Sequence, residues 1–196
     1  MAILNRIFSR RRGRGPAPGL LALVCALSWL SAARAAAPTP TAEYQVKAAF
    51  LFNFAQFVDW PAPAFAAKSA PLVIGVVGPD PFGPYLDGLV QGEKIGEHPI
   101  VVRRFAEDEK LTACHLVFVS APAAGHLDRI LAQLKGQGVL TVGDTENFCR
   151  LGGMVRFVTE KGKIRLRINV TAAQEAGLTI SSKLLRWATL VTPEKG

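Results

Sequence analysis

The side chains able to do chemistry in this 196-residue chain are few, and their spacing argues against most reactions they could support. His98, His115 and His126 are too far apart to be a ligand pair on one helix. Neither the cysteines nor the scattered acids complete a C-x-x-C or H-E-x-x-H pattern, so no metal is expected. His115, at the start of an apolar run, reads as a hydrogen-bonded histidine of the core or its boundary. Ser120, Ser181 and Ser182 lack the G-x-S-x-G setting that exposes a nucleophile. Gly75, Gly78 and Gly83 follow an apolar run, as phosphate-binding glycines do. The G-x-G-x-x-G spacing is missing, however, and Pro79, Pro81 and Pro84 remove amide donors that a phosphate cradle would use. That segment is expected to be a rigid turn. No cofactor and no catalysis are expected.

Two constellations remain. Asp80, Ser120 and Asp144 each follow an apolar run; if those runs are parallel strands, the three lie at carboxyl ends, where small ligands of open α/β sheets collect. Solvated turn residues suit the same positions. The other constellation is basic: Arg156, Lys161, Lys163, Arg165 and Arg167 fall in one short stretch. It reads either as an ordinary wet sheet face or as a docking surface for an anionic ligand or acidic protein patch.

The elements that position these residues follow from hydrophobic period. Thr41 can cap a helix with Glu43 in its first turn, expected to run to about Trp60, where Pro61 and Pro63 stop it. Tyr44, Ala48, Leu51, Ala55 and Val58 form one apolar stripe, and Phe50, Phe54 and Phe57 a second beside it. Such a helix is either sandwiched in a core or offers its extra phenylalanines to another subunit or protein. Residues 72–77 are unbroken apolar and suit a central parallel strand buried on both faces. A short helix (85–90), a strand (100–105), a strand (116–119), a helix (121–135, ended by Gly136) and a strand (139–142) follow. The alternation implies an α/β fold, a mainly parallel sheet flanked by helices on both faces.

Residues 154–159 and 163–170 flank Glu160-Lys161-Gly162 as a β-hairpin near the sheet edge, with Ile164, Leu166 and Ile168 on one side and Arg165 and Arg167 on the other. Asn169 or Thr171 can cap a helix through Ala176, and Ser181 or Ser182 can start a last helix carrying Leu184, Leu185 and Trp187. These three, with Phe50, Phe54 and Phe57, are candidates for a homodimer or partner interface; the alternative is that they are ordinary core.

The formal charge of +8 misleads about partners. Residues 1–35 hold six arginines and no acid, and without them 17 Lys and Arg stand against 15 Asp and Glu. Those residues have the layout of a signal peptide: a basic start, an apolar run over 20–30, and small residues over 31–37. The expectation is export to the periplasm after cleavage, with residues 36–41 a linker and 42–192 a single domain. The apolar run is shorter than the roughly 20 residues a membrane span needs, though an uncleaved anchor is the alternative. Val24 before Cys25 argues against a lipidated cysteine. Export leaves nucleic acid an unsuitable target for the basic cluster. Cys114 and Cys149 would meet an oxidising compartment, but the expected strand order argues against a bridge, and Cys114 reads as a small buried hydrophobe.

Residues 44–61, YQVKAAFLFNFAQFVDWP, resemble the opening helix of the YfiR family of bacterial periplasmic proteins. Further similar strings occur in order: Val73-Ile74-Gly75-Val76 with Asp80-Pro81-Phe82-Gly83, then residues 114–120, then Leu140-Thr141-Val142-Gly143-Asp144. Gly152-Gly153-Met154-Val155-Arg156-Phe157 and Ile180-Ser181-Ser182-Lys183-Leu184-Leu185-Arg186 complete a resemblance that covers about residues 41–191. The resemblance implies a secreted, non-enzymatic regulator that represses an inner-membrane diguanylate cyclase by binding its periplasmic sensor region, lowering cyclic di-GMP output. It also implies an envelope partner or signal that relieves repression, and it leaves open a sensor kinase as the target. Some family members carry paired disulfides; this chain has one cysteine near each expected pair, which sets redox control of that kind in question. The competing class is a small-ligand sensor using Asp80, Ser120 and Asp144.

Overall fold

The computed structural model describes residues 40–191, so the expected signal peptide and cleavage region lie outside the described residues. Thr41 caps α1 (Ala42–Phe57), its hydroxyl accepting the Tyr44 N–H at 3.4 Å. The helix stops short of Trp60 because the chain finds a tertiary partner first. β1 (Val58–Asp59) pairs antiparallel with β9 (Thr179–Ile180), and the Ser181 N–H donates to the Phe57 carbonyl at 2.9 Å.

The main body follows as β2 (Leu72–Val77), α2 (Pro84–Val90), β3 (Lys94–Ile95), β4 (His98–Phe105) and β5 (Leu116–Val119). Next come α3 (Leu127–Leu134), β6 (Leu140–Gly143), β7 (Val155–Glu160), β8 (Lys163–Ile168), α4 (Val170–Glu175), α5 (Ser182–Leu185) and β10 (Ala188–Leu190). The expected helix over 121–135 is split: Pro122 and Gly125 leave Ala121–His126 as a 3-10 segment, and only Leu127–Leu134 is α-helical. The last helix is a single turn that does not include Trp187.

Eight strands form one sheet in the order β10-β8-β7-β6-β5-β2-β4-β3. β4, β2, β5, β6 and β7 are mutually parallel, β3 and β8 run against their neighbours β4 and β7, and β10 is parallel to β8. The alternation of β2 divides the core: Leu72, Ile74 and Val76 join α1 and α2 on one face, while Val73 and Val77 join α3 on the other. Helices thus cover both faces, as the alternating pattern implied. The hairpin loop is two residues, Lys161 and Gly162, both with positive φ (50° and 73°), the geometry that matches strand twist. β8 is not itself the edge, since β10 lies outside it. Three residues after a one-turn helix carry too little periodicity to be read as a strand beforehand.

At the amino ends of the strands, the chain over 60–70 is strapped down by aromatic stacking. The Phe65 ring lies between His98 (centroids 3.7 Å apart) and His115 (4.4 Å), and the Trp60 indole donates to the His115 carbonyl at 3.0 Å. His115 is buried; its Nδ1 accepts the Val73 N–H at 3.1 Å, so the proton is on Nε2, which donates to the Ala64 carbonyl at 3.0 Å. Burial, with the nearby His98 ring, holds its pKa below the usual histidine range despite that bond to Ala64. The unfolded chain therefore takes up a proton below about pH 6.5 that the folded chain still refuses, so the stabilisation is complete above that pH and lost on acidification. The urea midpoint is expected to fall between pH 7 and 5, with a shallower slope in His115→Gln. A level midpoint across that range would refute the assignment.

Candidate functional site

The three residues expected at a shared strand-end cleft stand in separate arrangements. Asp80 accepts the Phe82 N–H at 2.8 Å and pairs with Arg104 Nε at 2.9 Å. Arg104 reaches on to Asp87 of α2, Nη1 to Oδ1 at 2.8 Å, clipping β4 to that helix. The hydrogen bond from Arg104 holds the Asp87 carboxyl below its ordinary pKa against its partial burial. Ser120 is buried and donates to the Val77 carbonyl at 3.0 Å. Asp144 meets α1. A cavity of about 550 Å3 at the ends of β2 and β4 is lined instead by Gly78, Pro79, Phe105, Ala106, Glu107, Asp108, His126 and Arg129.

The Asp144 contacts were not foreseen. Lys47, only 3% exposed on α1, places Nζ 2.8 Å from Asp144 Oδ2 and 2.7 Å from Glu43 Oε1, and the Tyr44 hydroxyl donates to the same Asp144 oxygen at 3.0 Å. Thr159 of β7 donates to Glu43 at 3.0 Å. Burial opposes the Lys47 charge, but the hydrogen bonds to Asp144 and Glu43 outweigh it and hold its pKa above the ordinary lysine value. Burial first, then the Asp144 charge, raises that of Tyr44. The sequence signal available was the Glu43–Lys47 spacing of four on an otherwise apolar helix.

The partner-binding candidates converge better. A groove of about 690 Å3 runs between α1, β8 and α5. Phe50 and Phe57 of α1, Ile164 and Leu166 of β8, and Leu184 of α5 supply its apolar lining, with Trp187, 79% exposed, beside them. Arg165, Lys183 and Arg186 add three cations, Asn53 is the neutral polar member, and among the described residues no carboxylate lines it. Phe50, Phe57, Arg165, Leu184 and Trp187 are thus brought together from the expected set. Phe54 is fully buried behind them, stacked on Phe157 with centroids 5.9 Å apart. Leu185 is half-buried against the core, and Arg167 does not line the groove. Lys183 and Arg186, three apart around Leu184 and Leu185, were missed. β10 pairs only with Leu166–Ile168, so among the described residues the outer edge of β8 at residues 163–165 has no strand beside it.

Charge follows the same division. From Arg150 to Val191 eight lysines and arginines face two carboxylates, Glu160 and Glu175; from Pro40 to Cys149 eight face twelve. Cys114 and Cys149 are buried free thiols, and burial pushes each up to about 11. Among the described residues no helix is long and apolar enough to cross a membrane.

The profile of the YfiR/HmsC-like family matches residues 44–189. No curated protein matches the chain. The family is periplasmic and regulatory rather than catalytic, and it acts in cyclic di-GMP signalling with membrane signalling proteins. Since the match runs from the first turn of α1 into β10, and so through every element that walls the groove, the chain belongs to the YfiR/HmsC-like family.

Proposed function

We propose that this protein is a periplasmic repressor that binds the periplasmic sensor region of an inner-membrane diguanylate cyclase and lowers cyclic di-GMP output while bound. The observation that carries this reading is the groove: an apolar lining with three cations and, among the described residues, no acid, suited to a segment with apolar anchors and acidic flanks. A segment seated there would bury the exposed Trp187 ring against Phe50 and Phe57 and pair its acids with Arg165, Lys183 and Arg186. Repression needs differential affinity: the groove must hold the inactive sensor conformer more tightly than the active one, by about 10⁴-fold for a near-complete switch. An envelope competitor for the same groove would relieve it.

Crosslinking in intact cells followed by purification from the envelope tests the reading. The wild-type chain is expected to recover a membrane cyclase in stoichiometric amount. Trp187→Ala should weaken capture by about 30-fold, the size of an aromatic hot spot of about 2 kcal/mol. Arg165→Glu should reduce it further at low salt than at high salt. Undiminished capture by both variants would sink the groove assignment. Recovery of a small molecule without any membrane protein would favour a small-ligand sensor instead.

A further inference from the structure

The far face of the β7–β8 hairpin holds a second arrangement that the groove does not use. Phe157, Leu166 and Ile168 pack with Leu51 and Phe54 of α1, so Arg156 and Arg167, which alternate with them, belong to the opposite face. The two arginines stand directly across from each other in the antiparallel ladder. Arg156 is also in register with Gly143 of β6, and Arg167 with Thr189 of β10, so the row across four strands is glycine, arginine, arginine, threonine with no acid in it.

Like charges in this position repel, with Cβ atoms about 5 Å apart. Little offsets the repulsion. Glu160 approaches Arg167 only to 3.8 Å, and both side chains are well exposed, so that pair contributes little. Among the described residues Arg156 has no carboxylate within ion-pair distance, and its Nε is buried without an acceptor. Thr145, two residues beyond Gly143, likewise has a buried hydroxyl without a partner. The buried Cys149 thiol lies beside the β8 backbone here, its Sγ 3.6 Å from the Arg167 carbonyl oxygen, and supplies no carboxylate to either arginine.

We infer that Arg156 and Arg167 form a binding site for a phosphate group, supplied by an anionic phospholipid headgroup or as free phosphate. Two adjacent guanidinium forks present parallel N–H donors to a tetrahedral oxyanion, which a single carboxylate would fill only in part. A bound phosphate group, singly charged as a phosphodiester headgroup and between one and two charges as the free ion, offsets the repulsion between the arginines and gives the Arg156 Nε an acceptor. Neither Arg156 nor Arg167 lines the groove, and the inference does not depend on the cyclase reading.

Calorimetric titration with inorganic phosphate at constant ionic strength, beside cosedimentation with phosphatidylglycerol or phosphatidylcholine vesicles, tests it with the full folded chain. Saturable binding of phosphate, or of phosphatidylglycerol vesicles alone, is expected. It should weaken at least about tenfold in Arg167→Gln and in Arg156→Lys, which keeps the charge but loses the fork, and should be unchanged in Lys110→Gln. Binding to vesicles that free phosphate competes away identifies the lipid headgroup as the source; phosphate binding without vesicle binding identifies the soluble ion. If chloride at matched strength acts like phosphate, if neither probe saturates, or if the folded variants bind as the wild type does, the site does not exist.

Discussion

Lys47→Met is expected to lower the unfolding free energy by about 3–5 kcal/mol, the usual consequence of removing one partner of a buried ion pair. The argument rests on what is left behind. Asp144, its side chain 7% exposed, would keep the Tyr44 hydroxyl as donor to Oδ2, while its Oδ1 is already buried without a hydrogen bond. A nearly dehydrated carboxylate with one neutral donor is a poor arrangement, and methionine fills the space without supplying the missing charge. In a domain of this size the melting temperature should drop by roughly 6–20 °C. Glu43 contributes less because it is 40% exposed and can regain water. The double variant Lys47→Met/Asp144→Leu should recover at least half the loss, since replacing both members of a buried pair with apolar groups is often neutral. Urea denaturation of the four chains of the cycle checks this. A single-variant loss under about 1 kcal/mol would mean the network does not hold α1 to the sheet.

Phe148→Ala should be comparably damaging, by about 3–5 kcal/mol, because its fully buried ring is held by glycines on two sides. A Cβ built on Gly143 would overlap one edge of the ring, and a Cβ on Gly153 would overlap the other. The ring therefore uses the missing side chains of β6 and of the residue just before Met154 as its seat, while the Gly153 N–H donates to the Phe148 carbonyl at 2.9 Å. Gly153→Ala alone is expected to lose about 3 kcal/mol, the upper part of the range for overpacking, since the ring has no direction in which to yield. Combined with Phe148→Ala, however, Gly153→Ala should add less than it costs alone, because the ring clash is gone and only the close approach of its Cβ to the Phe148 carbonyl oxygen remains. Additive losses in the double variant would show that the glycines are required for some other reason. The same loop, residues 144–153, borders the Arg156 row, so these variants should also weaken phosphate binding.

Some of this was legible in advance because its causes are local. The unbroken apolarity of residues 72–77 requires cover on both faces, and strand-helix alternation then permits few arrangements other than a parallel sheet between helices. Lys161 and Gly162 between two alternating runs specify a tight hairpin, and Asn169 caps α4 through its own side chain, accepting the Ala172 N–H at 3.0 Å. The lining of the groove was half legible for a related reason. Excess phenylalanine on α1 marks surplus apolar surface, but helical spacing alone does not say that Phe54 turns inward while Phe50 and Phe57 reach the groove.

The sequence by itself determined the α/β class, the mainly parallel sheet and the hairpin, all of which follow from residues within a few positions of each other. Only the tertiary structure decided that α1 gives way to β1, that β10 covers part of β8, and that Lys47 is sealed against Asp144, 97 residues away. It also set Arg165 at the groove, while Arg167, on the same face of β8, stands opposite Arg156 and does not line the groove. Each of these is a contact between segments distant along the chain, fixed by which faces remain uncovered once the sheet has closed. No local propensity reports on that.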